Sequence, residues 1–172
     1  MGLIDSGSDI LVLVLFALRK LKVGATAETV FELVTAAPGT SAITYFDVSS
    51  VLSTLVATEH LTLADGLYTI TEKGERNGVL TEGDLAPSVR LHTETAAAVL
   101  RNATKRAELI RTSKTILRRG GYAVELALLD GREEVMFLRV TAASREQAEA
   151  LEKSFRDKAE RVFGAVMDEL AQ

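Results

Sequence analysis

From Ile10 to Leu18 the chain runs through nine consecutive apolar side chains, Ile-Leu-Val-Leu-Val-Leu-Phe-Ala-Leu. No other stretch constrains the fold as strongly, because a helix apolar on every side has to be covered all round. The run is far shorter than the ~20 residues that span a bilayer, which argues against a membrane partner. Asp5 and Asp9 precede it and Arg19, Lys20 and Lys22 follow it, the reverse of a secretory signal with its basic start. The run therefore predicts a buried helix from about Asp9 to Lys22, opened by a capping box of Ser6 and Asp9 and ended by Gly24. One small domain rarely wraps a helix completely, so the same run predicts a subunit contact and a homodimer.

The next segments are shorter and begin with capping residues. Thr26 is placed to cap a second helix whose Val30, Leu33 and Val34 form one apolar stripe, and Pro38-Gly39 breaks it. Thr44 and Asp47 have capping-box spacing at the start of a third helix, in which Val48, Leu52, Leu55 and Val56 face inward. Two capped helices with a tight connection predict a helix-turn-helix. Leu61 and Leu63 then alternate on a short strand, Asp65-Gly66 makes a two-residue turn, and Leu67 to Ile70 return. Asp-Gly suits that turn because both central residues need positive φ. Thr71 caps a fourth helix with Glu72 in its first turn. Gly74 inside that helix costs ~1 kcal/mol relative to alanine, which predicts something packed tightly against it.

The order of three helices and a hairpin, followed by Tyr68-Thr69-Ile70-Thr71-Glu72-Lys73-Gly74, resembles the winged-helix transcriptional regulators of bacteria. Tyr45-Phe46 at the start of the third helix, with Leu52 and Leu55-Val56 after it, is similar to a bacterial winged-helix family catalogued as a domain of unknown function. The likeness extends over nearly the whole chain. It implies a winged helix, a regulatory role and double-stranded DNA as partner, on analogy of fold.

The second half reads as α+β. Pro87 suits the first turn of a helix running to about Arg106. Between Ala107 and Leu117 the β-branched residues Thr112, Thr115 and Ile116 favour a strand, as does the resemblance. Arg118-Arg119-Gly120-Gly121 turns the chain, Tyr122, Val124, Leu126 and Leu128 alternate, Asp130-Gly131 turns it again, and Met136, Leu138 and Val140 alternate on a third strand. Ser144 and Gln147 open a long final helix with a stripe including Leu151, Phe155, Ala159, Val162, Phe163, Val166 and Leu170. The expected architecture is a winged helix-turn-helix domain over 1–86, then an α+β domain over 87–172 with a linking helix, a three-stranded antiparallel sheet and the long C-terminal helix.

Composition narrows the chemistry. The 172 residues are 47% hydrophobic and 26% charged, the mix of a folded chain rather than a disordered one. There is no cysteine, which excludes disulfides, thiolate zinc sites and cysteine nucleophiles and suits a reducing cytoplasm. His60 and His92 lie in different elements without a third ligand at metal spacing. Glu133-Glu134 has no partner for acid–base work, and Gly120-Gly121 lacks the lysine and helix of a phosphate loop. No catalytic residue, metal ligand or cofactor is therefore expected.

Charge distribution divides the functional readings. Residues 1–86 carry five basic and eleven acidic groups, net −6, and residues 87–172 carry fifteen and thirteen, net +2. The third helix points Ser49, Ser50, Ser53 and Thr54 outward, with Tyr45 near its start, and these hydroxyls suit phosphates or base edges. Yet residues 23–72 contain no lysine or arginine and six acids. Cations for a DNA backbone have to come from elsewhere, and seven fall between Arg101 and Arg119, with Arg118 and Arg119 the candidate phosphate contacts. The leading expectation is a non-catalytic, DNA-binding homodimer. The alternatives are an adaptor binding another protein through the third helix, or a small-molecule sensor using the C-terminal sheet, neither of which needs DNA.

Overall fold

The computed structural model describes residues 7–171. Its elements are α1 (Gly7–Leu21), α2 (Ala27–Thr35), α3 (Tyr45–Ala57), β1 (Leu61–Ala64), β2 (Leu67–Ile70), α4 (Glu72–Thr81), α5 (Pro87–Glu108), β3 (Ile110–Ile116), β4 (Tyr122–Asp130), β5 (Glu133–Ala142) and α6 (Arg145–Leu170), with a 3-10 turn at Glu82–Asp84. The architecture is α+β. The expected Ser6 half of the first capping box lies outside the described residues. Two compact units meet between Asn102 and Ala103, inside α5. The sequence placed the division ahead of this helix, but Val89 and Ala97 are buried in the first unit's core and Thr93 is fully buried beside them in sequence.

In the first unit α1 is the central element. Every residue from Val12 to Leu18 is buried. Helices α2, α3 and α4, strand β2 and the 3-10 turn all contact α1, and Leu85 and Val89 complete the cluster. The expectation that a second subunit must cover α1 is thus corrected: its own unit wraps it. Each large side chain buried this way contributes roughly 1.5–3 kcal/mol. Gly24 does not terminate α1 either. Lys22 takes the positive φ (62°) at the helix end, whereas Gly24 lets β2 pass, since a Cβ there would lie 3.1 Å from Thr69 Oγ1 and 3.2 Å from Leu67 Cβ. The chain then bridges β2: Ala25 N donates to Tyr68 O at 3.0 Å and Tyr68 N donates to Ala25 O at 2.8 Å.

The short helices start where their capping residues stand. Thr26 Oγ1 accepts from Thr29 N at 3.2 Å. Thr44 and Asp47 form a complete capping box at the head of α3. Strands β1 and β2 pair antiparallel from Leu61↔Ile70 to Ala64↔Leu67, and the turn has Asp65 at φ 51° and Gly66 at φ 77°. Alternation puts Leu61 and Leu63 on one face, but only Leu61 reaches the core; Leu63 stays half exposed because the hairpin projects past it.

The second unit is a meander, β3-β4-β5, with α6 laid on one face. Val124, Leu126 and Leu128 pack there against Met136 and Ala142, and Ala148, Phe155 and Ala159 of α6 close the core. Ser144 caps α6 by accepting from Gln147 N at 3.2 Å, while Gln147 Oε1 takes the N–H of Ala143 at 2.8 Å. The register shifts at Leu128/Leu129, where β5 has one extra residue. Among the described residues no helix is long and apolar enough to cross a membrane.

Candidate functional site

The capping box fixes where α3 begins, and its inward stripe of Val48, Val51, Leu52 and Leu55 fixes which face it shows. Tyr45, Ser50, Ser53 and Thr54 are exposed on the outer face, and Ser49 is half-buried. Tyr45, Ser49 and Ser53 follow one another at i, i+4 spacing along one side of α3, and Ser50 and Thr54 form a separate neighbouring pair. Tyr45 is held by an edge-on contact with Phe31, ring centroids 5.7 Å apart at 73°.

Hydrogen bonding limits what the hydroxyls offer. Ser53 Oγ donates to Ser49 O at 2.9 Å, and Thr54 Oγ1 donates to Ser50 O at 3.0 Å. Their protons are engaged inside the helix, so toward solvent they present lone pairs and act as acceptors. In a major groove such acceptors match the amino groups of adenine and cytosine, not the acceptor edge of guanine.

The only charged side chain of α3 is an acid. Asp47 lies at the head of α3, and the side-chain hydrogen bond from Thr44, followed by that from the Thr44 backbone, holds its carboxyl below the usual carboxylate range. Several cations of this unit are engaged elsewhere. Arg19 pairs with Glu82, Lys20 with Glu94 at 2.8 Å, and Arg76 with Glu72 at 3.0 Å. Lys73 donates to Thr58 O at 2.8 Å, next to the C-terminal end of α3. Lys22 is exposed, with no ion pair among the described residues.

The seven cations between Arg101 and Arg119 are dispersed. Arg101 donates to Lys20 O at 2.7 Å. Arg106 makes a two-pronged pair with Glu160 at 2.6 and 2.8 Å, which raises its own pKa and lowers that of Glu160. Lys114 bonds Glu152 at 2.9 Å and Glu149 at 3.2 Å. Arg118 and Arg119 stand exposed on the β3–β4 turn, where Gly120 and Gly121 take φ of 86° and 78°. They belong to the second unit, whereas the α3 face belongs to the first.

Phe46 is the feature that sequence reasoning missed. It sits at the N-terminal end of α3 and is 79% exposed. The signal was available, because Phe46 falls outside the Val48, Val51, Leu52 and Leu55 stripe. Leu63 and Leu67 of the hairpin are also exposed. The histidines serve local structure: His60 lies between Thr58 Oγ1 (2.9 Å) and Asn77 Nδ2 (2.6 Å), and His92 Nδ1 bonds Ser88 O at 2.8 Å. Among the described residues no group of three or more His, Cys, Asp or Glu could hold a metal ion. A cavity of about 510 Å³ between the end of α5 and α6 is lined by Arg106, Ile110 and Arg156 among others, and both guanidiniums already bond, to Glu160 and Thr112.

Over residues 10–170 the chain matches the family model described as Domain of unknown function (DUF4364). The chain belongs to this family. No curated protein and no solved structure matches it. What distinguishes a site in this DUF4364 chain is therefore its own geometry: a capped helix with a hydroxyl-bearing, uncharged face, an exposed phenylalanine at its head, and no cation of its own.

Proposed function

We propose that this chain is a non-catalytic winged-helix protein of the kind found in bacterial transcriptional regulators, acting in the cytoplasm as a homodimer that binds double-stranded DNA through α3. The observation that carries this reading is the Ala25–Tyr68 bridge. It adds a third strand segment to the β1–β2 hairpin beside a helix-turn-helix, which is how a wing is built. In this reading α3 is the recognition helix: Ser49, Ser50, Ser53, Thr54 and Tyr45 face the major groove, and Arg118 and Arg119 contribute phosphate contacts.

A second reading has its own support. Residues 23–72 contain no cation, and Phe46 is 79% exposed at the head of α3. An uncharged face with an aromatic anchor suits a protein partner better than a polyanion. Titration of genomic duplex fragments at low salt separates the two. Retention that weakens steeply with added salt supports DNA; no retention under those permissive conditions removes DNA and leaves the adaptor.

A further inference from the structure

The apolar face of α6 continues beyond the sheet that covers it. Phe155 and Ala159 are buried against the β3–β5 sheet. The same face runs on through Val162, Val166 and Leu170 at i, i+4 spacing, and exposure rises to 37% at Val166 and 77% at Leu170. Arg161, Ala165 and Glu169 form a second column along one flank, and the six residues line a shallow groove of about 510 Å³. Arg161 and Glu169 are two helical turns apart, about 12 Å along the axis, too far to pair with each other. Neither has an ion pair among the described residues.

We infer that the last turns of α6 pack antiparallel on the same turns of a second copy of this chain, about a two-fold axis near Ala165. Reversal about Ala165 sets Arg161 opposite Glu169 of the partner subunit, and by symmetry Glu169 opposite Arg161 of the partner subunit. Parallel pairing instead sets arginine beside arginine and glutamate beside glutamate. The small side chain at the centre lets the two helices approach, and the Val162, Val166 and Leu170 columns bury each other alongside. This contact rests on the two-fold state proposed above and uses no residue of the α3 face.

Sedimentation of the full chain without DNA, at high micromolar concentration, tests it. The unaltered chain is expected to be a dimer, and Val166→Glu weakens association by about a hundredfold or more because a charge enters the apolar column. Arg161→Glu and Glu169→Arg each replace two attractions with two repulsions and weaken it by about tenfold. Mixing those two variants restores association, since in the mixed dimer every arginine faces a glutamate. Both lie at exposed positions, and far-UV circular dichroism is the check that they fold, so the mixing experiment stands even if Val166→Glu does not fold. A strictly monomeric chain, as when another segment of the same chain covers the groove, overturns the contact together with the two-fold state but not DNA binding by α3. A dimer indifferent to Val166→Glu overturns the surface alone. Failure of the mixture to associate better than either variant overturns the antiparallel arrangement.

Discussion

Gly74 and His60 meet with no room for a side chain between them: a Cβ on Gly74 would run into the His60 carbonyl oxygen. That oxygen cannot retreat, because it accepts from Thr71 N at 3.0 Å and from Thr71 Oγ1 at 3.0 Å. Sequence reasoning expected close packing at Gly74, and this contact is its cause.

Gly74→Ala is expected to destabilise the protein by roughly 1–3 kcal/mol, overpacking outweighing the better helix propensity of alanine. Gly78, one turn later, is the control. A Cβ there would meet Arg19 Cδ at 3.5 Å and Leu15 Cβ at 3.8 Å, which is ordinary contact. Gly78→Ala should therefore stabilise by up to about 1 kcal/mol. Urea unfolding of both variants measures the contrast, and a shift in the same direction for both would refute the explanation.

Thr44 supports α3 from both sides of the capping box, accepting from Asp47 N at 3.2 Å while its own N–H donates to Asp47 Oδ2 at 2.9 Å. Thr44→Ala removes the side-chain half and should cost about 1 kcal/mol in thermal or urea unfolding. Thr44→Ser retains the hydroxyl and should recover most of that loss.

Acid should loosen the second unit through α6. The hydrogen bond from Lys114 lowers the pKa of Glu152, and bonds from Arg145 and Lys114 lower that of Glu149. Folded carboxyls with lowered pKa values bind protons less readily than unfolded ones. Their stabilisation is thus full above the ordinary value of 4.5 and is lost as pH falls through the lower folded values. Lys114, whose pKa is raised mainly by Glu152, works in the opposite sense: its contribution is lost only as pH rises past 10.5 through its higher folded value. Lys114→Met is expected to lower the melting temperature near neutrality and flatten its fall in acid. An unchanged acid slope would mean that the pair carries no linkage.

Features set by near neighbours in the chain were legible. The caps at Thr26, Thr44 and Ser144 and the Asp65-Gly66 turn each depend on residues at most a few positions away. The alternation of β4 was equally readable, because one face packs on α6. Distant contacts were not. Nothing near Leu13 or Phe16 in sequence reveals that α2, α3 and α4 wrap α1. Lys20 finds Glu94, Arg106 finds Glu160 and Lys114 finds Glu149 and Glu152 across long stretches of chain, so which cations of the 101–119 run are engaged could not be read from spacing. Of the candidate site, the shared face of α3 was legible from its stripe, whereas the engagement of its hydroxyl protons depends on rotamers that spacing does not specify.

That engagement sharpens the test of the α3 face. If α3 reads DNA, Ser53 and Thr54 accept from adenine or cytosine amino groups, because their protons stay on Ser49 O and Ser50 O. Ser53→Ala and Ser50→Ala should then relax discrimination among sites by about 1 kcal/mol or somewhat more, with little change in bulk affinity. Arg118→Ala combined with Arg119→Ala should weaken all sequences alike and reduce the salt slope by about 2. Phe46→Ala should matter far less than either. If α3 instead docks a protein, the ranking inverts. Phe46, 79% exposed, becomes the anchor, so Phe46→Ala or a bulky charge at Ser50 abolishes capture while the arginine changes do nothing. Fluorescence anisotropy with duplex fragments at several salt concentrations measures the first set. A salt slope unchanged by the double arginine substitution, together with no change in sequence preference for Ser53→Ala, would exclude DNA recognition by these residues.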